Sequence, residues 1–148
     1  MSTSHWVDVR DKPAFLRRLM RELAGDARLS LEGDLRDCAF DSDQVATREE
    51  QGLLKRNTLS PRLDFVILHL APSDVESIFS KVSAVGLSRA IIHVQIERGG
   101  VLELGAYDNF HSKCVVTGPG VSITLLSDLK VKNTIRGFSD AGPESSVT

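Results

Sequence analysis

Cysteine is scarce in this chain. Cys38 and Cys114 are the only two, too few for the disulfide framework of a small secreted scaffold. A reducing compartment is the expectation, although spacing alone leaves one bridge between them open. Long apolar runs are missing as well. The longest, Phe65–Ala71, is interrupted by His69 and falls far short of the roughly 20 residues that cross a bilayer. The opening Met1-Ser2-Thr3-Ser4-His5-Trp6 has neither the basic nor the apolar region of a signal peptide. A cytoplasmic protein without a membrane segment is expected. No sign of charge dominates: the net charge is −2, so nothing draws the whole molecule to nucleic acid or anionic lipid.

The familiar chemical motifs are absent too. Gly118-Pro119-Gly120 stands between a strand and a helix, where backbone N–H groups could meet an anion. Ile123 occupies the place of the third glycine of a dinucleotide fingerprint, and no Gly-Lys-Ser/Thr follows as a phosphate loop requires. Asp41-Ser42-Asp43 opens like a calcium loop, but Val45, Ala46 and Gly52 stand where an oxygen ligand, the turn glycine and the closing glutamate belong. No C-x-x-C, H-E-x-x-H or G-x-S-x-G occurs. Neither a metal nor a cofactor is expected.

What is present describes one globular domain. The 148 residues are 41% hydrophobic and 26% charged, enough apolar matter for a core and too much for a disordered chain. A helix is expected over Lys12–Ala24, with Asp11 as N-cap, Pro13 in the first turn and Gly25 at the end. Phe15, Leu16, Leu19, Met20 and Leu23 share one face of it, and Trp6, Val7 and Val9 form a short strand or staple ahead of it. Two strands follow at Arg28–Glu32 and Leu35–Phe40. An irregular arm over 41–62, with a helical hint at Arg48–Lys55, is long enough to be functional or mobile.

Leu63–Leu70 is apolar on both faces, as in a central strand. Ser73–Glu76 matches a capping box for a helix buried through Val75, Ile78, Phe79 and Val82. Ala90–Glu97, with Ile92, Val94 and Ile96 inward, turns at Arg98-Gly99-Gly100 into a hairpin whose inward set is Leu102, Leu104 and Ala106. Cys114–Thr117 is a strand, Ser122–Lys132 a helix with core contacts Ile123, Leu125, Leu126 and Leu129, and Thr134–Phe138 a last strand. The expected fold is α+β: a mixed or mostly antiparallel sheet of five to seven strands, with three helices mainly on one face. Residues 1–138 form the domain, and 139–148 a flexible C-terminal tail.

Two regions carry candidate site residues. In the loop Tyr107-Asp108-Asn109-Phe110-His111-Ser112-Lys113-Cys114, Tyr107 and Phe110 would serve as recognition rings. His111, Asp108, Cys114 and the strand residue His93 are the candidates for acid–base or thiol chemistry. His69 could join them in a metal site only if the fold gathered it with His93, His111 or Cys114. The plain alternative is an inter-strand loop over a small buried cysteine. The second region is acidic: seven acidic residues face two basic ones over Glu32–Glu50, and Asp41, Asp43, Glu49 and Glu50 would steer a basic partner.

The leading expectation is a non-enzymatic protein-binding domain, of the kind that inhibits or protects against another protein. A small enzyme or ligand-binding domain built on the His/Asp/Cys cluster is its rival. Weak nucleic-acid binding through Arg17, Arg18, Arg21, Lys55 and Arg56 comes third, since those charges also suit a solvated surface. An exposed hairpin edge offers a route to a homodimer.

Overall fold

Asp11 starts the first helix as its chemistry requires: its carboxylate accepts the amide of Ala14 at 3.1 Å. In a computed structural model describing residues 4–142, that helix, α1, spans Lys12–Leu23 and buries Phe15, Leu16, Leu19, Met20 and Leu23. Preceding it is β1 (Ser4–Val9); after it come β2 (Ala27–Gly33), β3 (Val45–Thr47) and β4 (Asp64–Leu70). Next are α2 (Val75–Val85), β5 (Ile91–Arg98), β6 (Val101–Ala106), β7 (Val115–Thr117), α3 (Ile123–Val131) and β8 (Ile135–Gly142). The eight strands form one sheet in the order β3-β4-β2-β5-β6-β7-β1-β8, and each pairing is antiparallel. The α+β reading holds, with more strands than expected and, among the described residues, no parallel pair.

One face of the sheet is apolar. Leu29 and Leu31 of β2, Val66, Leu68 and Leu70 of β4, Val94 and Ile96 of β5, and Leu104 and Ala106 of β6 share a single core with the buried residues of all three helices. Side chains alternate across a strand, so the intervening residues face the other way, away from the helices. On β4 those are Phe65 and Ile67, which make a second, smaller apolar cluster with Leu54 of the irregular arm. That explains why Leu63–Leu70 reads as apolar on both faces. The β5–β6 hairpin turns at Gly99 and Gly100, with φ of 58° and 80°; glycine adopts this left-handed backbone without the Cβ clash other residues suffer.

Several expected elements differ from those observed. No strand forms at Leu35–Phe40: both edges of β2 are already taken, by β4 and β5, so the segment turns instead, with Cys38 N donating to Leu35 O. No helix forms at Arg48–Lys55, where Gly52 takes a φ of 60° and an isolated bridge joins Gln51 and Leu54, turning Leu54 inward. Ser73 caps nothing. Pro72 opens a 3₁₀ turn, α2 begins at Val75 without a side-chain cap, and the Glu76 carboxylate is drawn to Arg17 and Arg21.

A bulge in β5 exchanges Ile92 for Ile91 in the core. A register shift where Glu97 pairs with Leu102 turns Leu102 onto the Leu54 cluster. Ile123, the first residue of α3, is 58% exposed, and Phe79 is only partly buried. The expected tail enters the sheet: residues 139–142 continue β8 against β1, and the remainder of it, 143–148, lies outside the described residues. Among the described residues, no helix is long and apolar enough to cross a membrane.

Candidate functional site

The sheet's outer face, opposite the helices, is polar at its centre. Arg28, Ser30 and Glu32 of β2 stand directly across from Glu97, Gln95 and His93 of β5. Facing residues on neighbouring antiparallel strands lie about 5 Å apart at Cβ, so the six form a two-by-three grid. Arg28 gives Glu97 Oε1 two hydrogen bonds, 3.1 Å from Nε and 2.9 Å from Nη2, and a third to Gln51 of the arm. Ser30 Oγ donates to Gln95 Oε1 at 3.0 Å, and Gln95 Nε2 donates to the Tyr107 hydroxyl at 3.2 Å.

Tyr107 reaches Gln95 only because Gly105 lies beneath it. A Cβ at position 105 would sit 2.6 Å from the tyrosine hydroxyl, closer than atoms can approach.

Residues 55–58 of the arm close over this grid. Glu32 is 1% exposed and has no cation partner among the described residues. Its carboxylate is held by the amides of Asn57 at 2.8 Å and Thr58 at 3.2 Å. The Lys55 amide donates to Gln95 Oε1 at 3.1 Å. Thr58 Oγ1 lies 2.7 Å from His93 Nε2, while His93 Nδ1 accepts the Asp108 amide at 3.2 Å.

The Asp108 contact settles the histidine's tautomer. A nitrogen accepting from an N–H carries no proton itself, so the ring proton is on Nε2 and is donated to Thr58. His93 therefore cannot remove the Thr58 proton, and the pair is not an activated nucleophile, which needs the reverse arrangement. Burial lowers the His93 pKa below its ordinary value, against the upward pull of Glu32 and Asp108, so the neutral ring is the stable form.

The aromatic residues of the 107–114 loop turn inward, while Asp108, His111, Ser112 and Lys113 are exposed. Phe110 is 2% exposed and packs edge-on against Phe15 of α1 at 6.3 Å, so it is a core residue and not a recognition ring. Tyr107 is half-buried with its hydroxyl bonded to Gln95. Asp108, Asn109 and Phe110 are successively left-handed, with φ of 56°, 57° and 60°, costing roughly 1–2 kcal/mol per residue. Asn109 Nδ2 donating to Ile91 O at 2.8 Å, the Asp108–His93 contact and the buried Phe110 ring hold them there. The strain belongs to a loop pinned at each residue.

His111 is exposed and its Nδ1 accepts only the Lys113 amide, and Cys114, three residues on, is half-buried. Neither makes a hydrogen bond to the His93 grid, and the catalytic candidates do not converge. His69 is exposed on β4, opposite Arg28. Among the described residues, no group of three or more His, Cys, Asp or Glu side chains is placed to hold a metal ion. Both cysteines are free, and burial, then Asp37 and Asp34, raise the Cys38 pKa, keeping it a thiol.

The acidic candidates are largely engaged. Asp41 pairs with Lys81 at 3.3 Å, Glu50 accepts the Arg56 amide at 2.8 Å, and Glu49 faces Arg56 and Arg62; Asp43 is exposed. Likewise Arg17 and Arg21 pair with Glu76, and Arg18 with Asp128. The anion suited to Gly118-Pro119-Gly120 is internal: Gly120 N donates to Glu103 Oε1 at 2.8 Å.

Beyond β6 the described residues place no such cover on the outer face. Trp6 of β1 lies there, 46% exposed, between Val116 of β7 and Ser139 of β8. Asp8, in the same column of β1, is paired with Arg136 at 3.3 Å. Sequence reasoning assigned Trp6 to a strand but missed its exposure. It also missed Glu32, Gln95 and Thr58, although the polar alternation Arg28-x-Ser30-x-Glu32 matched by His93-x-Gln95-x-Glu97 is a legible signal of a built polar face. Comparisons with protein-family models, curated proteins and solved structures find no match to the chain.

Proposed function

We propose that this is a non-enzymatic protein-binding domain whose contact surface is the open part of the outer face, around Trp6 and β8, the last strand of the described sheet. The observation that carries the reading is Trp6 itself. A tryptophan nearly half exposed on a sheet face is the residue type most often decisive at protein interfaces. It stands one strand in from β8, which ends the sheet. Ser139 and Gly137, small residues, occupy the β8 positions facing Trp6 and Asp8. A strand added to β8 would lie about 9–10 Å from β1, two inter-strand spacings, close enough for a long side chain to cross Ser139 onto the indole. The partner fitted to this geometry is an extended protein segment that pairs its backbone with β8 and covers Trp6.

The enzyme reading has less support, because the His93 tautomer is wrong for a base toward Thr58 and His111 and Cys114 make no hydrogen bond to it. Acidic steering by Asp41, Asp43, Glu49 and Glu50 is retained only in part, since three of the four are engaged within the chain.

The test is capture from native extract by the wild-type domain and by Trp6→Ala, with hydrogen exchange measured on the captured complex. Loss of capture in Trp6→Ala, together with slowed exchange along β8 in the wild-type complex, supports the reading. Undiminished capture by a folded Trp6→Ala overturns it. Protection of β8 with the added mass of one further copy by light scattering would identify the partner as the chain itself.

A further inference from the structure

Arg56 is a buried arginine without a hydrogen-bonded acceptor. Its side chain is 9% exposed, its guanidinium lies over the Phe65 ring at 4.9 Å, and its Nε is buried with no hydrogen-bond partner. Its nearest anion is Glu49 Oε1, 3.5 Å from Nη1. The same oxygen is 3.6 Å from Nη2 of Arg62. Charge-assisted N–H···O bonds close at about 2.7–2.9 Å, so Glu49 neutralises both arginines without bonding to either, and its side chain is 73% exposed. These groups line an open cleft of about 610 Å³, together with Arg48, Leu35, Leu63 and Phe65. Arg36, also on its wall, is bound by Asp34 through two hydrogen bonds of 2.9 and 2.8 Å, and Asp64 accepts the Leu35 amide at 3.0 Å. Arg48, Arg56 and Arg62 are the cations left facing a single loosely held carboxylate.

We infer that this cleft is a binding site for a small organic carboxylate, held by Arg56 and Arg62, whose position the Glu49 carboxylate occupies as an internal stand-in. A planar guanidinium presents parallel donors that match a carboxylate's two oxygens. Glu49, tethered through its own backbone, reaches only to 3.5 Å; an untethered carboxylate can close that gap. The cleft's size is that of ligand sites that enclose an organic body as well as its charged group. Leu35, Leu63 and Phe65 are the apolar residues to receive such a body. Benzoate is therefore the fitting probe, better than acetate, which lacks the body, and better than inorganic phosphate, which lacks both the body and the planar charge.

The experiment follows backbone amide shifts of the full chain during titration with benzoate, acetate and phosphate at constant ionic strength. Saturable shifts confined to residues 35–38 and 48–65, the segments that line the cleft, are expected with benzoate. Glu49→Gln, which removes the resident competitor, should tighten binding several-fold, and Arg62→Gln should weaken it by about tenfold. Arg62 is 66% exposed, so that variant keeps the fold where a change at buried Arg56 could disturb it; Arg56→Lys, retaining the charge but losing the fork, should also weaken binding. Absence of saturable shifts in both wild type and Glu49→Gln would overturn the inference. Binding unaffected by Arg62→Gln in a folded protein, or phosphate binding as tightly as benzoate, would overturn it equally.

Discussion

Replacing His93 with Asn tests whether the outer face is held by a neutral, buried imidazole. Asn Oδ1 stands as many bonds from Cβ as His Nδ1, so the acceptor for the Asp108 amide is kept. The donor to Thr58 Oγ1 and the ring's tilted contact with Tyr107, 5.8 Å between centroids, are lost. One hydrogen bond is worth about 1 kcal/mol, and the lost ring atoms a similar amount through the space they leave. Near pH 8 the variant should therefore be less stable by about 2 kcal/mol.

Acidification should shrink that gap. Burial holds the folded His93 pKa below 6.5, despite Glu32 and Asp108, whereas in the unfolded chain it titrates near 6.5. Between those two values the unfolded state binds the proton and the folded state does not. The wild-type contribution is thus complete above pH ~6.5 and falls as pH drops toward the folded pKa, by at most about 1.4 kcal/mol per unit. Asn carries no such dependence. Urea unfolding of both proteins near pH 8 and pH 5.5 cancels the other titrating groups in the difference, which should narrow measurably at the lower pH. The geometry predicts the same direction, since a proton on Nδ1 would confront the Asp108 N–H. A difference that stays constant or widens on acidification would refute the account of His93 as a buried, neutral group.

Two further substitutions probe the same region. Phe110→Ala empties a core position against Phe15 and frees a loop strained at three consecutive residues; a loss of about 3–4 kcal/mol is expected in denaturant unfolding, and a loss under 1 kcal/mol would return Phe110 to the surface. Gly105→Val places a branched side chain where the Tyr107 ring lies, so Tyr107 must leave Gln95. Destabilisation of about 1–3 kcal/mol with greater Tyr107 fluorescence accessibility is expected, and a neutral effect would contradict the close approach.

Legibility in the sequence followed how local the deciding forces are. The Asp11 cap, the five buried residues of α1, the glycine turn of the β5–β6 hairpin and the two-sided apolar strand β4 depend on spacing within a dozen residues, and all were readable. Where a partner from elsewhere decided the outcome, the reading failed. Ser73 was displaced by the turn at Pro72, with Glu76 drawn to arginines on α1. Leu35–Phe40 had strand-like residues but no free edge to join. Ile92 and Leu102 lost their inward places to single-residue register shifts, which reverse a side chain's face and leave no mark in the pattern.

The candidate site was the least readable part for the same reason. An aromatic residue in a polar loop looks like a recognition ring until the fold supplies Phe15 to cover it, and Trp6, expected only in a short strand or staple, has no element above it among the described residues. The sequence alone determined the class: one α+β domain whose alternating strands make a sheet with one apolar face, because side-chain alternation and helical spacing are properties of the chain itself. Only the tertiary structure decided what lies on the other face, where residues 55–58 close over Glu32, Gln95 and His93, Arg56 is buried beside Glu49, and Trp6 is left open. Those placements depend on contacts between residues tens of positions apart, and no local pattern encodes them.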